Sequence, residues 1–260
     1  MTLRFNAIIF TVATLSGISL RTVMLLFTLD PVSGFIKQQY TLPAVILIAF
    51  LIAAAFIVYI FSFFLKQGYI ADVKSGSTGF SAASIIMGIA IIYETFFSSL
   101  LDGFGGLKTL HYIFSAVAAI SLIALGVLGL LKKEFPALLS LAPIVFWLTR
   151  LIIIFSNFST ISTISDTLIE TACLCLCLIT FLNYSKLTCG YIGKNKTSGV
   201  FALSLLTAYA CFIASVPRII ISLLAHGEAV HVNTIPAFSG LAAAIYCMLF
   251  AYSIIKKKEN

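Results

Sequence analysis

Eight long apolar runs follow one another along the chain, each close to the roughly 20 residues that a helix needs to cross a bilayer. They lie at approximately 6–29, 42–65, 79–102, 109–131, 137–156, 162–184, 198–225 and 234–255, with little sequence between them. Lipid offers no water to backbone amides, so a spanning segment must be a helix or part of a closed barrel. Barrel strands are short and alternate in polarity, which these runs do not. The sequence therefore predicts an all-α, polytopic integral membrane protein. Its plan is eight transmembrane helices arranged as four helical hairpins, a single transmembrane domain over 1–260 and no soluble domain. Composition supports this, with 61% hydrophobic and 10% charged residues; soluble domains carry about 25% charged residues.

Turn and cap residues punctuate the runs: Asp30-Pro31, Thr41-Leu42-Pro43, glycine and serine around 75–79, Asp102-Gly103, Phe135-Pro136, and Asn233 with Pro236. Lysine and arginine are distributed unevenly. Eleven (Arg4, Lys66, Lys74, Lys132, Lys133, Lys186, Lys194, Lys196 and Lys256 to Lys258) fall on one set of loops and ends, and two (Lys37, Lys108) on the other. Positive residues collect on the cytoplasmic side, so both termini are expected there. The short loops and compact plan fit a bacterial inner (plasma) membrane. The net charge of +7 then reads as a rim facing anionic headgroups of the lipid bilayer, not a nucleic-acid footprint. Arg4 before an apolar run resembles a signal peptide, but the run continues past Arg21 to Leu26, so an uncleaved first helix is expected.

Within the runs, charge is sparse and recurs at one depth. "GISLRTVMLLFTLD", "AIIYETFFSSLLDG", "FWLTRLIIIFSNFS" and "ASVPRIIISLLAHG" each hold one charge within the apolar run, Arg21, Glu94, Arg150 or Arg218, some seven or eight residues before an outer polar turn. At 1.5 Å per residue this is roughly 10–12 Å below the outer surface. The sixth run adds Asp166 and Glu170, four residues apart and hence on one face, with Glu170 at the same depth. An ionised group there costs a few kcal/mol unless it turns inward and finds a partner. A charge cluster of Arg21, Glu94, Arg150, Glu170 and Arg218, with Asp166 at its outer edge, is the economical expectation.

Pro217 precedes Arg218, and Pro143 lies seven residues before Arg150; both are helix-break candidates, and broken helices near charges occur in transporters as well as in plain packing kinks. The connection "SNFSTISTISD", residues 156–166, carries polar character toward Asp166 and Glu170, as a vestibule or simply as a loop and cap.

Other chemistry finds little support. Cys173, Cys175 and Cys177 form C-x-C-x-C, but helix residues two apart point nearly opposite ways, so these three do not converge on one metal. They, Cys211 and Cys247 read as small apolar packing residues, and Cys189 as a loop thiol. No lysine lies within a span for a Schiff base, and no histidine lies mid-membrane for haem. His111, His226, Glu228 and His231 fall near the outer surface, and "HGEAVH" matches no strong metal pattern. H-E-x-x-H, G-x-S-x-G and the P-loop are missing from the sequence, so no cofactor or metal is expected, and an intramembrane enzyme using Glu94 or Glu170 as acid or base stays open with no specific motif behind it. Small residues in the fourth span (Ser115, Ala116, Ala118, Ala119, Gly126, Gly129) and the eighth (Ser239, Gly240, Ala242 to Ala244) permit close packing, internally or as a dimer face.

Two functional classes remain. One is a small-molecule or ion transporter with the outer charge layer as its binding or coupling site. The other is a membrane-embedded sensor, chaperone or interaction protein in which the charges are structural and the basic loops touch a membrane partner.

Overall fold

A computed structural model describes residues 2–28, 37–65, 77–97, 105–133, 136–157, 164–192, 197–224 and 235–255. It is all-helical: α1 (Leu3–Phe27), α2 (Thr41–Phe63), α3 (Thr78–Phe97), α4 (Gly105–Leu130), α5 (Ala142–Asn157), α6 (Ile164–Thr188), α7 (Thr197–Leu224) and α8 (Ile235–Ser253). Seven of these are long and apolar enough to cross a membrane, the fifth counted with the 3-10 turn that leads into it. The eighth is shorter over its described apolar stretch, Ala237–Ser253.

The helices begin and end on local chemistry. Thr2 caps α1 by accepting from the Phe5 amide at 3.4 Å. α6 closes through Gly190 at φ +74°, with the Tyr191 amide bonded to the Lys186 carbonyl at 2.9 Å, the left-handed stop that glycine allows. Many hydroxyls inside the helices are satisfied by the carbonyl one turn back, among them Thr22 to Ile18, Ser84 to Phe80, Thr95 to Ile91 and Ser204 to Val200. Serine and threonine therefore ride in apolar segments without needing water.

Six helices close into a ring, in which each packs on two ring neighbours in the order α3, α4, α5, α6, α7, α8 and back to α3. α1 and α2 pair with each other and lean on α7 from outside. Neighbours run antiparallel, as cross-helix contacts show. Along α4, His111 meets Thr149 of α5 while Ser121 meets Leu139 of the 3-10 turn before it; along α6 and α7, Glu170 meets Arg218 while Thr180 meets Thr207.

Small residues set the tightest seams. A Cβ on Gly88 of α3 would stand 2.9 Å from the Ala119 carbonyl oxygen, and one on Gly126 of α4 would stand 2.5 Å from that of Ser81. Either side chain would push the two backbones apart. Ala242, Ala243 and Ala244 of α8 are buried, as are Ala118 and Ala119 of α4. These small residues of α4 and α8 thus serve internal packing, whereas Ala116 of α4 is exposed.

Outside the ring, α2 presents Leu42, Val45, Ile46, Phe50, Phe56 and Ile60 as an exposed apolar face, the surface expected against lipid acyl chains. Inside, one end is filled by rings: Phe181 stacks on Tyr246 at 5.0 Å between centroids, and Phe80 lies 5.0 Å from Tyr246 and 5.8 Å from Phe250. The other end holds charge.

The prolines take milder places than the sequence implies. Pro143 is the second residue of α5, after a 3-10 turn at Ala137–Leu141, so it opens an α-helix where its missing N–H is no loss. Pro217 lies inside α7, which is assigned as one helix through it.

Candidate functional site

The charged end is built from four helices of the ring and one serine. Glu94 stands near the end of α3, Arg150 midway along α5, Glu170 two turns into α6 and Arg218 two turns before the end of α7. They form an alternating chain. Arg150 Nη1 lies 3.0 Å from each carboxylate oxygen of Glu94 and also donates to Ser239 Oγ of α8 at 2.9 Å. Arg150 Nη2 turns to Glu170 Oε1 at 3.4 Å, while Arg218 Nη2 holds Glu170 Oε2 at 3.0 Å. Glu170 thus bridges two guanidinium groups, one oxygen to each.

The formal charge of these four side chains is zero with all of them ionised. That balance lets so polar a group persist in a helical interior, because each ion's lost hydration is offset by opposite charge and hydrogen bonds. Arginine suits the central place, since its fork reaches Glu94, Ser239 and Glu170 from one planar group. Its Cζ also lies 5.5 Å from the centroid of the Trp147 ring, one turn earlier, a cation–π contact. Exposure differs among the four. The side chains of Glu94, Arg150 and Arg218 are 2%, 6% and 8% exposed, and that of Glu170 is 18%.

Other residues singled out in the sequence lie elsewhere. Arg21 is buried on α1, where its Nη1 donates to Met24 Sδ at 3.1 Å, and its helix packs on α2 and α7. Asp166 is one turn before Glu170 in α6, but its side chain lies outside the described residues, as do positions 158–163 of the outer connection and His226, Glu228 and His231. His111 is buried between α4 and α5, its Nδ1 3.3 Å from Thr149 Oγ1 and its ring 5.6 Å from that of Phe146.

Two features escaped the sequence reading. Ser239 was noted only as a small residue, yet it ties α8 to Arg150. Cys173 and Cys177, with Cys211 of α7, form a buried group of sulfurs, Cys211 Sγ lying 3.1 Å from Cys173 and 3.4 Å from Cys177. Cys175, between them, is half-buried and stands outside the group. The C-x-C-x-C argument treats neighbours two apart; the pair four apart shares a face and needed only a partner from another helix.

One face of α6 therefore reads along its length as carboxylate, thiol, thiol and ring: Glu170, Cys173, Cys177, Phe181, Tyr184. Over about 21 Å of helix, the ring interior passes from ionic to soft to aromatic.

Fold and site define a class: an all-helical protein of the polytopic membrane kind, with a paired ionic chain enclosed by six helices. No protein-family model, curated protein or solved structure matches the chain.

Proposed function

We propose that the chain is a small secondary transporter in which Glu170, held between Arg150 and Arg218, is the exchangeable position. A small anion entering from the charged end competes with the Glu170 carboxylate for the two guanidinium groups. Once displaced, Glu170 takes up a proton, so anion and proton enter together and the interior stays neutral. Release reverses both steps. By the distribution of lysine and arginine, the charged end faces outward and both termini lie in the cytoplasm.

The observation that carries this reading is the position of Glu170. It is the most exposed member of the chain, each of its oxygens is held by a different arginine, and one of those contacts is long at 3.4 Å. Trp147 Nε1, one turn before Arg150, and Tyr246 Oη, among the aromatic rings, support the same reading: both are buried with no hydrogen-bond partner among the described residues. A closed structural core seldom leaves such atoms unsatisfied.

The structural reading, in which the charges only fix helix register for an interaction protein, draws on Glu94 and Arg150, which are buried and paired at 3.0 Å. Transport separates the two. Proteoliposomes containing a trapped pH indicator are given a lactate or inorganic phosphate gradient at zero membrane potential. The carrier acidifies the lumen as the anion enters, and Glu170→Gln uncouples anion entry from the proton. If neither anion moves protons, and a thiol placed at Thr171 in a cysteine-free background stays closed to a polar outside reagent, the carrier reading fails.

A further inference from the structure

Three thiols meet inside the ring, and the ionic chain makes no use of them. Cys173 and Cys177 point from one face of α6, and Cys211 of α7 reaches both, so that all three Sγ atoms lie within 4.8 Å of one another. All three side chains are buried. Small apolar packing does not explain the convergence, because alanine would fill such a seam without bringing three sulfurs into contact.

Soft sulfur donors select soft metal ions, and the number of donors narrows the choice. Zinc in structural sites takes four ligands in a tetrahedron, whereas this group offers three within mutual reach. Charge narrows it further. A monovalent ion that displaces one thiol proton leaves the interior neutral: one S–H bond is broken, one sulfur–metal bond forms, the proton goes to solvent, and the other two sulfurs donate lone pairs. Further deprotonation would add negative charge beside an ionic chain whose two arginines are already balanced by Glu94 and Glu170.

We propose that Cys173, Cys177 and Cys211 form a binding site for a soft monovalent metal ion of the copper(I) class. The site is independent of the carrier reading and stands if that reading fails.

The test uses the full chain, purified in detergent under anaerobic reducing conditions, with copper(I) supplied as its coloured bicinchoninate complex. One equivalent per chain should transfer with loss of colour, and X-ray absorption should count three sulfur neighbours around copper. Cys177→Ser and Cys211→Ala should each weaken binding by about a hundredfold or more, since even outer-sphere partners of metal sites are worth 10–100-fold. Cys175→Ser and Cys189→Ser should leave it unchanged. No transfer, transfer indifferent to Cys177 and Cys211, or transfer lost with Cys189 would each overturn the proposal. Far-UV helicity accompanies every variant; should one unfold, the X-ray count on the unaltered chain decides, and oxygen or nitrogen neighbours in place of three sulfurs overturn the site.

Discussion

The two ends of the ionic chain are held in contrasting ways. At one end, Glu94 is 2% exposed, both of its oxygens lie 3.0 Å from a single nitrogen of Arg150, and Ser239 shares that nitrogen. At the other end, Glu170 is 18% exposed and divides its oxygens between Arg150 and Arg218. The first arrangement is closed and geometrically redundant, so it fixes α3, α5 and α8 against one another. The second is open to competition, since a ligand that satisfies two guanidinium groups can replace the carboxylate between them. Burial and pairing geometry, more than charge type, divide an anchor from an exchange position.

The largest expected effect comes from breaking the residue that both ends share. Arg150→Ala leaves Glu94 without its ion partner and Glu170 with only Arg218, and removing one member of a buried pair costs about 3–5 kcal/mol. Unfolding in mixed detergent micelles, followed by circular dichroism, should show a loss of that size. Arg150→Lys should recover little of it, because one ammonium cannot serve Glu94, Ser239 and Glu170 at once. Full stability of Arg150→Ala would show that the anchor does not hold the ring.

The next comparison sets the two carboxylates against each other. Glu94→Gln should destabilise by about 2–3 kcal/mol, the loss of a charge-assisted pair in a dry site. Glu170→Gln should cost less, about 1–2 kcal/mol, because Glu170 is more exposed than Glu94 and the amide oxygen keeps one acceptor for the arginines. Proton coupling should follow the opposite order, lost in Glu170→Gln and retained in any Glu94→Gln protein that folds. Equal stability losses would erase the distinction between the ends. The double change Glu94→Met with Arg150→Met sharpens it: apolar residues of similar length can replace a buried pair at little cost, leaving Glu170 and Arg218 as a matched couple. This variant should be more stable than Arg150→Ala and inactive in transport, because one of the two arginines holding Glu170 is gone.

The helical, membrane-like character was legible because it rests on local facts: continuous apolar runs, few charges and polar punctuation. Arg150 and Glu94 stood out because an ion in an apolar run demands an explanation. Their pairing was hidden, since it depends on the closure of α8 on α3 and of α5 between α4 and α6, contacts that no local pattern encodes. Arg21 shows the limit of reading by depth: it shares the one-charge-per-helix pattern, yet α1 packs outside the ring against α2 and α7. The sulfur group was hidden for the same reason, as the stripe of Cys173 and Cys177 is local but Cys211 arrives from another helix.

The smallest expected effect tests the redundancy of the closed end. Ser239→Ala removes one hydrogen bond from Arg150 Nη1 and keeps both contacts of that nitrogen with Glu94. A hydrogen bond to a charged group is worth about 1.5–3 kcal/mol, but here the donor retains a carboxylate at 3.0 Å, so the loss should fall near or below about 1 kcal/mol in the same micelle unfolding measurement. Combining Ser239→Ala with Glu94→Gln should cost more than the sum of the two single changes, because the serine then becomes the remaining strong acceptor of that nitrogen. Simple additivity would mean that Ser239 packs beside the anchor without sharing its load, and α8 would then be held by its packing on α7 and α3.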